Sequence, residues 1–197
     1  MTPTWKLVVV LAGICFTSAL ALSSVKDLTA ERIAYEMKQD VIRSLQAALP
    51  DQDVDPDVFY LDMTSEDGLP VRVFRSHADD EVGGAAFKVV APDGFSGNID
   101  IMMGVLPDGT LGGIEILNHK ETPGLGDPIS KSEEWKASFR GRSLENTKFK
   151  VKKDGGDIDQ FTGATISPRA VTGAVERGLK WFLENREKIL NPGEETS

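Results

Sequence analysis

The chain is 197 residues long, enough for one domain with a substantial core plus an appendage. It carries 22 lysines and arginines against 31 aspartates and glutamates, a formal net charge of −9. That argues against a nucleic-acid partner, which would want a basic stripe to displace counterions from phosphates. One cysteine, Cys15, and two histidines, His77 and His119, exclude a cysteine-held iron–sulfur cluster, a c-type haem and an internal disulfide framework. An electron carrier built from this chain must use something other than a cysteine-held metal.

Residues 7–25 form an apolar run interrupted only by Thr17, Ser18, Ser23 and Ser24. As a helix it spans ~28 Å, close to the thickness of a bilayer's hydrocarbon core. Trp5 and Lys6 precede it as interfacial anchors. Three fates compete. Ala19-Leu20-Ala21 resembles the cleavage site of a signal peptide, and a lipoprotein signal at Cys15 is disfavoured because Ile14 stands where a small residue is needed. The run exceeds the ~7–15 apolar residues of a signal peptide, so an uncleaved anchor over residues 1–25 is expected. Lys6 is the one charged side chain in that segment. The acidic remainder gains nothing from anionic lipid, so the apolar span alone must hold it at the membrane. A short basic leader before one span predicts a cytoplasmic N-terminus with the rest of the chain outside. The charges beyond the span, Lys26 and Arg32 among Asp27 and Glu31, add little.

Ile33, Met37, Val41, Leu45 and Leu49 recur at steps of about four and predict a helix over residues 27–49, stopped by Pro50. It reads equally as a stalk continuing the span and as the first core helix. Residues 51–57 alternate aspartate with other types, but Pro56 stands where a calcium loop needs glycine. A solvated acidic linker is the better reading. Strand-like runs follow at 58–61, 71–74, 85–90, 99–105 and 113–117, separated by turn signals at 67–68, 92–94 and 107–109. They predict an antiparallel meander with one face on a core. A glycine-rich loop at 121–127, a short helix near 132–139, a polar strand at 148–152 and a helix over 168–190 complete the chain. Ser167 is the expected N-cap of that helix, with Pro168 at its first position. The fold class is therefore α+β: a transmembrane helix and stalk helix, then an antiparallel sheet with a C-terminal helix. The segments are an anchor at 1–25, a first helix at 26–50, an extracytoplasmic domain at 51–192 and a tail at 193–197.

The most unusual local sequence is Asp157-Ile158-Asp159-Gln160-Phe161-Thr162-Gly163-Ala164-Thr165-Ile166-Ser167. Its small residues let a group approach the backbone, and Thr165 offers a hydroxyl just before a helix N-terminus, where free amides and the helix dipole favour an anion. It is not a phosphate-binding P-loop, having neither that glycine spacing nor a lysine in reach. Elsewhere Cys15 reads as inert packing in the span, His77 as solvated, and Trp135 and Trp181 as core.

The run from Asp159 through Thr162-Gly163-Ala164-Thr165 to Ser167 resembles the flavinylation motif of the FMN-binding domain family. That domain is shared by the G subunit of the Rnf electron-transport complex and the C subunit of the sodium-pumping NADH:quinone oxidoreductase. His119-Lys120-Glu121-Thr122-Pro123-Gly124-Leu125-Gly126-Asp127 resembles the family's second signature loop, and Gly94-Phe95-Ser96-Gly97 the segment before it. The short chain, and Asp159-Gln160-Phe161-Thr162 ahead of Gly163, look more like the Rnf protein.

The resemblance implies FMN esterified through its phosphate to Thr165, within a motif formed by Asp159, Thr162, Gly163, Ala164 and Ser167. It implies a separate magnesium-dependent transferase that cleaves FAD, for which Asp159 is part of the recognition element. Phe95, Ser96, His119, Glu121, Thr122, Pro123, Gly124, Leu125 and Gly126 are candidates to line the flavin, and no metal ligands are expected. The implied role is a relay of electrons, beside other membrane subunits, in a complex of the bacterial inner membrane. That complex couples electron transfer between ferredoxin and NAD to translocation of sodium or protons. The equivalent flavin protein of the quinone reductase is the alternative within the family. An anchored extracytoplasmic binding module without redox work is the alternative outside it. NAD binding by this chain is not expected, because no strand is followed by a G-x-G-x-x-G turn.

Overall fold

The computed structural model describes residues 4–50, 52, 60–65, 68, 70–78 and 81–191. The acidic stretch at 51–57, Gln52 apart, lies outside them, as do the tail beyond 191 and the side chain of His77. The chain divides into two compact units, Met1–Asp40 and Val41–Ser197.

The first unit is helical. Helix α1 spans Thr4–Ala48, and its stretch Thr4–Ala30, with mean hydropathy 2.2, is long and apolar enough to cross a membrane. Three of the hydroxyls there turn back onto the helix. Thr17 donates to the Gly13 carbonyl at 3.0 Å, Ser24 to Leu20 at 2.9 Å and Thr29 to Val25 at 2.7 Å. Such bonds satisfy a hydroxyl without solvent, as an apolar surround requires. The helix expected over 27–49 is the second half of α1. Leu45, Ala48 and Leu49 at its end are buried in a core, as its reading as a first core helix expects.

The second unit is a five-stranded antiparallel meander in the order β1–β2–β3–β4–β5. The strands are β1 (Tyr60–Thr64), β2 (Pro70–Ala78), β3 (Glu81–Gly94), β4 (Gly97–Val105) and β5 (Leu111–Asn118). Two short helices follow, α2 (Pro128–Lys131) and α3 (Glu133–Ala137), and then the long α4 (Ile166–Leu190). Helix α4 covers one sheet face. Val171, Ala174, Val175, Leu179 and Phe182 form its buried stripe, with Phe87 of β3 stacked on Phe182 and tilted against Trp181.

The opposite sheet face takes the end of α1, where Leu45, Ala48 and Leu49 pack with Ala86 and Met102. The approach there is backbone to backbone. A Cβ on Gly104 would stand 2.2 Å from the Ala48 carbonyl oxygen, and one on Gly113 would stand 2.6 Å from that of Ala47. At Gly104 and Gly113 only bare backbone fits beneath this helix end.

Three local expectations are corrected. The turn signal at 92–94 does not end β3, because a register shift between Ala91 and Gly94 absorbs Pro92 and Asp93. The hairpin closes instead at Phe95-Ser96, with Gly94 opposite Gly97. No strand forms at 148–152. Val151 makes an isolated parallel bridge to Ile158, and a 3-10 turn, Lys152–Asp154, follows it. Finally, α4 begins at Ile166, so Thr165 is its N-cap and Ser167 lies inside the first turn.

Candidate functional site

Three segments carry the candidate residues, and each is fixed by its own hydrogen bonds. The first is the β3–β4 hairpin tip. Phe95 sits in the two-residue loop at that tip and is 65 % exposed. The Ser96 amide points inward and donates to Oε1 of Glu121 at 2.9 Å.

The second is the loop that leaves β5. His119 accepts the Glu121 amide on Nδ1 at 3.2 Å, which puts its ring hydrogen on Nε2, 3.0 Å from the Ser130 hydroxyl. That hydroxyl donates to the Asp127 carbonyl at 2.9 Å. The Thr122 carbonyl accepts the amides of Leu125 and Gly126, and the Gly124 amide donates to Oδ1 of Asp127 at 2.6 Å. Lys131 reaches the other Asp127 oxygen, and its ammonium holds that carboxyl below the usual carboxylate range. The loop therefore closes on itself with Thr122, Pro123, Gly124 and Leu125 facing outward, Leu125 being 52 % exposed. His119 organises this loop, and both its ring nitrogens are engaged by the protein.

The third is the run into α4. Phe161 to Ala164 form a hydrogen-bonded turn with Gly163 at φ 79° in its third place, the left-handed conformation of a type II turn. Nothing lies within 4 Å of a Cβ built on Gly163. Glycine is required by the backbone of the turn, and the space beside it is open. Upstream, the Trp135 indole donates to the Asp159 carbonyl at 2.7 Å, and the Asp159 carboxylate pairs with Lys152 at 2.7 Å. Thr165 is half-buried, its carbonyl accepts the Arg169 amide, and its hydroxyl makes no capping bond.

Glu121 brings the three segments together. Its carboxylate takes the Ser96 amide of the hairpin on one oxygen and the Ser167 hydroxyl of α4 on the other. Phe95, the loop at 119–127 and the head of α4 thus meet although they are far apart in sequence. Of the expected flavin-lining residues, Phe95, Thr122, Pro123, Gly124 and Leu125 are exposed, while Glu121 and Gly126 are buried.

Arg169 is a site residue that the sequence pattern did not reveal. It sits in the first turn of α4 and forks onto both oxygens of Asp154, at 2.6 and 2.9 Å, pinning the 3-10 turn to the helix head. The Arg169 guanidinium holds the Asp154 carboxyl below its usual range. A cation in a helix's first turn opposes the dipole, and that mismatch, which the sequence reading passed over, is the signal that points to a nearby carboxylate.

Exposed apolar side chains at Phe95, Leu125 and Ile166, beside a half-buried threonine with an uncapped hydroxyl, suit a flat aromatic ring ending in a phosphate. The domain is of the FMN-binding class: the family model of the FMN-binding domain matches residues 94–180, which hold all three segments. Relatives cover nearly the whole chain. The G subunit of the ion-translocating oxidoreductase complex from Aliivibrio fischeri is 36% identical, over 94% of this chain and 91% of its own length. Its counterpart from Cereibacter sphaeroides is 39% identical over 89% and 82%, and the one from Shewanella loihica 37% over 89% and 86%. The chain belongs to the family of G subunits of ion-translocating oxidoreductase complexes.

Proposed function

We propose that this chain is the membrane-anchored flavin subunit of an Rnf-type complex, relaying electrons through FMN esterified to Thr165. Membership of the G-subunit family and the FMN-binding domain support the electron-relay role. The attachment point rests on one observation, the state of the three hydroxyls in the motif. Ser167 is 2 % exposed and already donates to Glu121. Thr162 lies out on the turn. Thr165 stands at the N-cap of α4 without a capping bond, where the negative charge of a phosphodiester is favoured by the helix dipole.

In the attachment step, the Thr165 hydroxyl oxygen forms an ester bond to the FMN phosphorus of FAD. The diphosphate P–O bond breaks, AMP departs with the bridging oxygen, and the hydroxyl proton passes to solvent or to a base of the transferase. That transferase is magnesium-dependent and is a separate protein. When bound, the flavin supplies the redox chemistry, and the chain supplies position and electrostatics. Phe95 and Leu125 offer apolar cover. Thr122 to Leu125 are exposed on a loop already closed by Asp127 and by its own backbone bonds, so little order is lost on binding.

The division into an anchor at 1–25, a stalk at 26–50, a flavin domain at 51–192 and a tail at 193–197 belongs to the same reading. So does the inner-membrane topology, with the N-terminus cytoplasmic and the flavin domain outside. The membrane partners are the other subunits of the complex, which couples electron exchange between ferredoxin and NAD to sodium or proton movement. A covalent tether suits a domain outside the cytoplasm, where no pool of free FMN replaces a lost cofactor.

The experiment is intact mass of the full chain after co-expression with a flavin transferase. The expected result is one added FMN, with in-gel fluorescence that survives denaturation and is lost in Thr165→Val. A wild-type chain without the adduct, or a Thr165→Val chain that keeps it, overturns the assignment. A reporter after Ser197 should be active only outside the cytoplasm, and cytoplasmic activity would overturn the topology.

A further inference from the structure

Glu121 is only 5 % exposed. A buried carboxylate is costly unless its oxygens are hydrogen-bonded, and here both are. Oε1 accepts the Ser96 amide, and Oε2 accepts the Ser167 hydroxyl across 46 residues of sequence. The slot is closely fitted. A Cβ on Gly126 would stand 2.6 Å from Oε2 and 2.7 Å from the Ser167 oxygen, and one on Gly94 would stand 3.0 Å from Oε1. Its oxygens are spent on protein donors, so this side chain is poorly placed to serve the ring directly.

What it can do follows from helix geometry. Ser167 is two residues beyond Thr165, and two residues turn a helix by about 200°. Thr165 itself has right-handed helical angles, φ −88° and ψ −26°. Drawing Ser167 inward therefore turns Thr165 outward. The same carboxylate holds the hairpin whose tip carries Phe95, and its own backbone begins the loop that carries Leu125.

We propose that Glu121 is the positioning residue of the flavin site rather than a contact to the flavin. Through Ser167 it sets the rotation of the α4 head, and hence the direction of the Thr165 hydroxyl. Through Ser96 it sets the distance of Phe95 from that hydroxyl. A hydroxyl aimed correctly is needed for attachment, and a ring held between fixed walls is needed afterwards. The inference rests on Thr165 being the attachment site.

The test uses the full chain with FAD, magnesium and a limiting amount of flavin transferase, and compares wild type, Glu121→Gln, Ser167→Ala and Gly104→Ala. The last is a destabilised control on the opposite sheet face. Three quantities are read: the initial rate of FMN addition by intact mass, the visible circular dichroism of the loaded flavin, and the thermal midpoint of the unloaded chain. Expected are a loading rate lowered about tenfold or more in Ser167→Ala and Glu121→Gln, the size of a lost charge-assisted hydrogen bond, and a weakened flavin dichroism. Gly104→Ala should load and absorb like wild type despite a lower midpoint. If Ser167→Ala matches wild type in rate and dichroism, or loses no more than Gly104→Ala, the positioning role is overturned, whether or not Glu121→Gln folds. A wild-type chain that takes no FMN at Thr165 instead overturns the attachment site itself.

Discussion

The indole nitrogen of Trp135 donates to the backbone carbonyl of Asp159 at 2.7 Å, joining the short helix α3 to the run that leads into Thr165. The ring also packs edge-on against Phe139 and tilts against Phe161, with centroids 5.1 and 5.4 Å away. A core tryptophan thus sets the path of an exposed motif. Trp135→Phe keeps an aromatic ring but removes the donor and part of the packing, a cost of about 2 kcal/mol. The thermal midpoint should fall by several degrees. FMN addition should slow as well, because Asp159 and the turn after it lose their fixed point. Unchanged loading at a lowered midpoint would show that the motif holds its shape without the indole.

The bed of glycines under the end of α1 makes a sharper stability prediction. A methyl group on Gly104 would meet the Ala48 carbonyl at 2.2 Å, and backbone on both sides leaves nothing flexible to yield. Gly104→Ala should cost about 1–3 kcal/mol by overpacking. Thermal melts followed by tryptophan fluorescence check this, since Trp181 lies in the core of the same unit. A cost below a few tenths of a kcal/mol would mean that the helix end slides freely on the sheet.

The Asp154–Arg169 fork predicts a pH dependence with a definite sign. Asp154 has its carboxyl lowered by the Arg169 hydrogen bonds, so the folded state favours the ionised form. That contribution is fully present above the unfolded carboxylate value near 4 and disappears as pH falls through the lowered folded value. Asp154→Asn should melt below wild type at neutral pH, by a small amount because the pair is well exposed. The gap should narrow below about pH 4 and close at still lower pH. Asp62 and Asp127 are lowered by their own cationic partners, but they titrate alike in both proteins and cancel in the comparison. A gap that persists unchanged to strongly acidic pH would assign the effect of Asn to the turn rather than to the ion pair.

The elements most legible in the sequence were those with a strong period or a local turn. The alternation at 99–105 and 113–117 with Pro107-Asp108-Gly109 between them became β4, β5 and their hairpin, where Asp108 accepts both the amide and the hydroxyl of Thr110. The α4 stripe was readable because its buried residues recur every three or four positions. Legibility failed where tertiary contacts override local preference. Lys148 to Lys152 alternates like a strand, but Val151 finds only an isolated partner in Ile158. Ser167 is a good capping type, yet Glu121 draws its hydroxyl inward and leaves the cap to Thr165. No local pattern announces a bond between residues 121 and 167, so the convergence of the three segments was legible only as the coexistence of two motifs.

Gly163 allows the demands of the backbone to be separated from those of clearance. Its φ of 79° is strained for most side chains, while a Cβ there would meet nothing within 4 Å. Gly163→Ala should therefore cost about 1–2 kcal/mol, the penalty of a left-handed residue, with no added clash. Asparagine tolerates that conformation, so Gly163→Asn should melt closer to wild type than Gly163→Ala. The two variants then diverge in loading. If the open space beside the turn is where FMN and its transferase approach Thr165, the larger asparagine should slow FMN addition more than alanine does, despite its smaller loss of stability. Intact-mass time courses at a temperature well below both midpoints measure this directly. A loading order that simply follows stability would mean that glycine is needed at position 163 for the turn alone.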